Sequence, residues 1–447
     1  MTKSSEYARR RRQLMRLIGE NAIAILPSAK ELIRSRDTHF SFRQDSDFHY
    51  LTGFDEPESV MVLTPGRKHG EFILFNRERD KEKETWHGRR AGQEGAMNDF
   101  GADDAFPIDD IDDILPGLIE GRERIYCAIG NDREFDDKVL DWLNTLRTQH
   151  VGEVPHGEII DVRHYLHDMR LYKSAAEIKA MRKAASISAR AHIRAMQVVR
   201  PGMNESDIEA ELHHEFARNG ARFPAYSSIV AGGENACILH YVENDAKLKK
   251  NDLLMIDAGA EYKMYAGDIS RTFPVSGKFT KAQKKVYDWV LKAQTAAIES
   301  VRPGATWQTP HEVAVRVLTE ALVDLKVLKG KVKELIEQEA YKPYYMHKTG
   351  HWIGMDVHDV GDYQVGGQPR VLEPGMVMTV EPGLYFPSDD KSIPKAYRGM
   401  GVRIEDDVLV TKDGHEVLSH EVPKTTGEIE TLMAEARAGD KKEERAA

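Results

Sequence analysis

A chain of 447 residues exceeds one small module, and at about 150 residues per domain it accommodates two to three. A hydrophobic share of 41% beside 30% charged residues describes an ordinary soluble globular protein with a large core, which excludes wholesale disorder. The 63 Lys and Arg against 73 Asp and Glu leave a net charge of −10, a field that disfavours nucleic acid as a partner.

The chain opens with a basic helix over residues 7–19. After it, 22–26 is an apolar stretch of five residues, too short for a signal peptide. No segment approaches the roughly 18 uninterrupted apolar residues of a membrane span, so no membrane partner is expected. Residues 22–26, 60–64, 71–75 and 124–128 read as short strands, and 136–148 as a helix, the alternation of an α/β unit over residues 1–172. Cys127 and Cys237 are the two cysteines, in no metal or redox spacing; this excludes disulfide and thiolate-zinc scaffolds and points to the cytoplasm.

From Ser174 the pattern changes. Ser174-Ala-Ala-Glu177 reads as a capping box opening a helix that runs to Val199 before Pro201 and Gly202. Residues 204–219 and 281–302 read as further helices, with 253–257 and 264–274 as a hairpin between them and strands at 377–381 and 401–411. Helices and strands come in blocks, so residues 173–436 read as an α+β domain. Residues 437–447 are small and charged, the composition of a disordered tail.

The chemistry begins with Asp257 and Asp268. Folded about a turn at 259–263, the hairpin sets these acids opposite one another, about 5 Å apart, where two carboxylates repel by roughly 3 kcal/mol. A shared proton, a bound cation or two strand ends in water each relieve this. Glu381 ends another apolar strand and Glu405 lies within one; a buried Glu needs a partner, and Arg403, on the same strand face, offers a salt bridge as the plain alternative to metal. His347, His351 and His358 fall within twelve residues, out of 18 histidines in the chain. The i, i+4 pair His347 and His351 is half of a zinc-helix pattern, but its Glu is missing and Gly350 argues against a helix. His240 is a fourth candidate. Four carboxylates and one neutral imidazole carry −4, which two divalent cations cancel; oxygen-rich ligands with one nitrogen suit Mn, Fe, Co or Zn. Such a pair activates water and polarises a carbonyl, the equipment of hydrolysis.

Asp257, Asp268, His351, Glu381 and Glu405, spaced by 11, 83, 30 and 24 residues, with the words around His351 and Glu381, resemble the ligand set of the pita-bread metallopeptidases. Residues 34–37, 42–48, 50–57 and 86–90 are similar to the N-terminal domain of the aminopeptidase P family within that group. The resemblance implies a pita-bread C-terminal domain with a curved, mainly antiparallel sheet, two divalent metals, with Mn the first choice and Zn, Co or Fe the alternatives, and release of the first residue from peptides with proline second. It implies Asp257 on one metal, Asp268 and Glu405 bridging both, and His351 and Glu381 on the other, with Glu381 also the general base. His240 and His358 would contact the scissile carbonyl. Arg403 and Tyr385 would support the metals or touch substrate, and His347 and Tyr226 would line the pocket for the first side chain. Trp86 resembles a residue that reaches a neighbouring subunit's site in tetrameric members, so a homo-oligomer, dimer or tetramer, is expected; ordinary core packing is its alternative. A prolidase, with or without organophosphate hydrolysis, shares all five ligands and differs in cleaving only dipeptides. A non-catalytic binding protein of the same fold lacks them.

Overall fold

The computed structural model describes residues 3–148 and 157–446. They form two compact units, Met1–Met169 and Arg170–Ala447.

In the first unit six strands form one mixed sheet in the order Asp104–Pro107, Phe72–Asn76, Val60–Leu63, Ala22–Pro27, Arg124–Cys127, Glu158–Asp161. Ala22–Pro27 is the hinge of the order, antiparallel to Val60–Leu63 and parallel to Arg124–Cys127. Its apolar residues are almost wholly buried, which is why it reads as an unbroken apolar run rather than an alternating one. Helices Ile111–Ile119 and Arg133–Thr148 bring Leu115, Ile119, Trp142 and Leu143 into one core with Ile23, Ile25 and Val62 of the sheet. The α/β expectation for this half is met.

The second unit is α+β. Its helix Ala175–Val198 starts at the expected box: Ser174 Oγ accepts from Glu177 N (3.4 Å) and Glu177 returns the bond to Ser174 N (2.9 Å). Asn204 with Asp207 and Thr280 with Gln283 cap Glu205–Arg218 and Lys281–Ser300 in the same way. These helices pack Ile187, Leu212, Phe216 and Val290 against Leu254, Ile256 and Phe273. Those three belong to the antiparallel set Ile229–Gly232, Leu253–Asp257, Ser270–Pro274. Further antiparallel groups join Val377–Val380 to Asp406–Val410 and His415–Val417, and Gly383–Phe386 to Met400–Arg403.

Three expectations need correction. The acidic hairpin turns at Lys263–Met264, both at positive φ (51° and 69°), and not at 259–263; Tyr262 pairs with Tyr265 and Asp257 with Ser270. Asp257 and Asp268 are therefore offset by two positions. A slip of two preserves the face, so both carboxylates still point the same way. The strand expected over 401–411 is broken into Met400–Arg403 and Asp406–Val410, because Glu405 N leaves that ladder to donate to Ser270 O (3.0 Å). Last, the expected disordered tail from Arg437 continues the helix Thr426–Ala446, whose Ala, Lys, Glu and Arg are strong helix formers. Residue 447 lies outside the described residues. Among the described residues no helix is long and apolar enough to cross a membrane.

Candidate metal centre and active site

All five acidic and imidazole candidates line one cavity of about 450 Å³ in the second unit, together with Tyr226, His240, His347, His358 and Arg403. Asp257 ends its strand, and Asp268 follows the hairpin's short return strand Tyr265–Ala266. The Tyr226 hydroxyl lies 2.6 Å from Asp257 Oδ1 and 2.5 Å from Asp268 Oδ1, one proton between two carboxylates. Burial, reinforced by these acids, holds the phenol well above its ordinary pKa, so it stays a donor.

His351 and Glu381 are brought side by side by an irregular pairing of 349–351 with 379–381: Thr379 N donates to His351 O (2.9 Å) and Glu381 N to Thr349 O (2.8 Å). Gly350 permits it, since a Cβ there would lie 2.0 Å from Thr379 O. No helix forms over these residues, as Gly350 suggested. The His351 Nδ1–H donates to Trp352 O (2.9 Å), which orients the ring and turns Nε2 toward Asp268 Oδ2 (3.3 Å) and Glu381 Oε1 (3.7 Å). Burial lowers the imidazole's pKa, but the Nε2–H bond to Asp268 and the charges of Asp268 and Glu381 lift it to about 9; a metal would take this nitrogen in place of that proton. Ligand-type atoms of Asp268, His351 and Glu405 lie within 4.8 Å of one another.

The electrostatics follow from burial and like charge. Glu405 is pushed well above the usual carboxylate range by burial, then by Asp268, Glu381 and Asp257. Burial lifts Glu381 to about 7, against His351 and Arg403 and with help from Asp268 and Asp257. Burial and Asp268 also raise Asp257, against the pull of Arg403. Asp268 goes the other way: burial raises it, but the His351 hydrogen bond and charge, with Tyr226 and Arg403, together outweigh that and lower it. Three carboxylates held up by burial and like charge, a fourth held down by His351, one imidazole with Nε2 turned inward and one neighbouring guanidinium make a donor set that fits divalent cations.

Arg403 does not pair with Glu405 as the plain alternative held. Its Nη2 donates to Asp257 Oδ2 (2.7 Å), Nη1 to the Tyr385 hydroxyl (3.0 Å) and Nε to Ser270 Oγ (2.9 Å). The break in the strand turns Glu405 away from its neighbour, and Ser270 connects them by donating to Glu405 Oε2 (2.7 Å). Tyr385 is wholly buried and lies behind the residues that line the cavity. It donates to His347 Nε2 (2.8 Å), whose Nδ1–H in turn donates to Lys348 O (2.7 Å). Burial and Arg403 hold His347 near a pKa of about 3, a neutral ring on the cavity wall. The His351 and His358 rings lie edge to face at 4.3 Å. Trp86 belongs to the first unit, on helix Lys81–His87, and is 79% exposed, so core packing within the chain does not account for it.

Two contributors escaped the sequence reading. Ser270 links Arg403 to Glu405, and Thr379 Oγ1 accepts from His351 N (3.1 Å) and reaches Glu381 Oε1 (3.5 Å). Each lies two residues from an acid, Asp268 or Glu381, and so on its strand face; that periodicity was the available signal.

Residues 179–412 match the model of metallopeptidase family M24, and residues 7–126 that of the aminopeptidase P N-terminal domain. The chain belongs to the aminopeptidase P branch of metallopeptidase family M24. This metallopeptidase is 47% identical to the Xaa-Pro aminopeptidase of Escherichia coli over 97% of its own length and 98% of that protein's. It is similar to the solved aminopeptidase PepP of Pseudomonas aeruginosa, with 59% identity, a TM-score of 0.96 and coverage of 97% and 99% of the two chains. A zinc-substituted E. coli aminopeptidase P in complex with product is 46% identical, with a TM-score of 0.94 and coverage of 97% and 99%. The pita-bread fold of the second unit and a hydrolase's divalent metal site go with this membership.

Proposed function

We propose that the protein is a dinuclear metal-dependent aminopeptidase that releases the first residue of peptides carrying proline second. The observation that carries this reading is the convergence of Asp257, Asp268, His351, Glu381 and Glu405 on one cavity, in a chain that matches Xaa-Pro aminopeptidases across both units. We assign residues 1–172 to the aminopeptidase P-type domain and 173–436 to the catalytic domain.

Asp257 is assigned to one ion, His351 and Glu381 to the other, and Asp268 and Glu405 to both, with Mn the first choice and Zn, Co or Fe the alternatives. When bound, the two ions would supply Lewis-acid polarisation of the scissile carbonyl and activation of the attacking water. The chain's own residues do the rest. Glu381, beside the assigned ions, is the residue that takes a proton from the attacking water and passes it to the leaving proline nitrogen. His240 and His358, both exposed to the cavity, offer hydrogen bonds to the carbonyl oxygen as charge grows on it. His347 and Tyr226 border the first side chain, and the Arg403 and Tyr385 chain holds His347 in one tautomer. An Xaa-Pro bond has no amide N–H to grip, so the site must recognise its substrate by the free amine and the proline ring. The cytoplasm and a homo-oligomer remain part of this reading, the latter supported by the exposure of Trp86.

The test is release of the first residue from Xaa-Pro peptides of two to five residues, with Mn added or chelated. Cleavage of Xaa-Pro-Yaa to Xaa and a Pro-peptide is expected. Activity confined to dipeptides would make the enzyme a prolidase, and no metal with no Mn-dependent activity would make it a binding protein.

A further inference from the structure

His358 is exposed, and among the described residues no hydrogen bond holds its ring. Its aim is therefore set by its backbone, with the His351 ring edge to face beside it. The loop around it is clamped from outside the cavity. Arg170 Nη2 donates to Asp356 Oδ2 (2.7 Å) and to Asp359 Oδ1 (2.6 Å), and Lys173 Nζ lies 2.9 Å from Asp359 Oδ2. The Lys173 and Asp359 side chains are each 1% exposed. Asp359 N donates to Trp352 O (2.9 Å) and Gly354 N to Asp356 O (3.1 Å), which close the loop that runs from His351 to His358. Gly354 is required there, because a Cβ would meet the Asp359 carboxylate at 2.1 Å. Lys173 is itself fixed by its backbone N–H to Gly375 O (2.9 Å).

A buried ion pair of this kind seldom stabilises more than well-packed apolar residues would; its best-attested use is to impose one geometry. Here the pairs fix Asp356 and Asp359, two residues before and one residue after His358. We propose that Asp359, gripped by Lys173 and Arg170, is a positioning residue that aims His358 at the scissile carbonyl. The proposal rests on the reading of His358 as a carbonyl-contacting group.

The experiment is a double-mutant cycle on the full-length, metal-loaded enzyme: Asp359→Asn, His358→Ala and the pair, with kcat, KM, bound metal and melting temperature measured for each. Asp359→Asn is expected to lower kcat about 10- to 100-fold, the range of a modest misplacement of a catalytic group. KM should stay within about two-fold and metal content unchanged, because the residue acts through His358 in the transition state and not on binding. In the His358→Ala background the Asp359→Asn change should cost no further kcat. Losses that multiply in the pair, or a fall in bound metal, would overturn the proposal in favour of a general structural role. An unaffected kcat in His358→Ala alone would instead remove the role of His358 on which the proposal depends. Should Asp359→Asn fail to fold, Lys173→Met, which leaves Arg170 on Asp359, is expected to give a smaller kcat loss that again vanishes without His358; persistence of that loss would count against positioning.

Discussion

Arg403 Nη2 donates to Asp257 Oδ2 at 2.7 Å, and the two side chains are only 4% and 15% exposed. The guanidinium thus offsets the charge of Asp257, while its other nitrogens reach Tyr385 and Ser270. Removing it leaves Asp257 buried without its cationic partner, a loss of about 3–5 kcal/mol for a broken buried pair. Divalent ions supply the missing charge. Arg403→Met is therefore expected to lower the melting temperature markedly in chelator-treated protein and much less in Mn-loaded protein. Equal drops under the two conditions would show that Arg403 does not share the charge of Asp257 with the ions.

Glu405 is 2% exposed and is held by Ser270 at 2.7 Å, with Asp268 and His351 as its neighbours in the cluster. Glu405→Ala deletes a ligand assigned to both ions, so bound metal should fall and turnover should be lost. The unit Met1–Met169 has its own core and should remain folded. Elemental analysis, peptide release and limited proteolysis read the three outcomes separately; retained hydrolysis would contradict the bridging assignment.

The acids that line the cavity were legible because each ends or interrupts an apolar run, where an unpaired charge demands an explanation. The hairpin register was not. Lys263 and Met264 occupy positive-φ turn positions without the Gly or Asn that normally marks them, so the expected register is off by two positions. The even slip kept the face and with it the conclusion. The partner of Arg403 was not legible either: adjacency in a strand suggested Glu405, and only the break at Ile404–Glu405 sends the guanidinium across to Asp257. Helix Ile111–Ile119, which tolerates Pro116, and helix Gln308–Asp324, with Pro310 in its first turn, lack clean stop and start signals. Which of the four histidines carry a hydrogen bond of their own at the cavity is a three-dimensional fact with no trace in spacing.

Trp86 is 79% exposed on a short helix without a buried residue. A large indole left in water is expected to have a partner outside its own fold, and aromatic residues dominate the energetics of interfaces. Trp86→Ala should leave the melting temperature of the chain nearly unchanged while weakening cleavage of longer Xaa-Pro peptides more than of short ones. Steady-state kinetics over peptides of three to five residues, with sedimentation to follow the oligomer, tests this. Unaltered kinetics together with an unaltered assembly would leave the residue without a functional role.

His192 is buried in helix Ala175–Val198, with Nε2 donating to Ala258 O (3.0 Å), directly after the strand that ends in Asp257. Burial, helped by Arg271 and opposed by that hydrogen bond, lowers its pKa from 6.5 to about 4. The folded chain therefore binds fewer protons than the unfolded chain between these values. Its stabilising contribution is complete above about 6.5 and is lost as pH falls toward 4, below which both states are protonated and no further loss occurs. A shift of that size corresponds to roughly 3 kcal/mol at most. His192→Gln keeps an amide donor for Ala258 and removes the titration. The variant should be less stable than the parent at neutral pH, and its urea midpoint should fall less steeply between pH 6.5 and 4. Because the helix holds the turn after Asp257, the acid side of the parent's stability curve should also track release of bound metal, and parallel curves for parent and variant would show that His192 does not take up the proton.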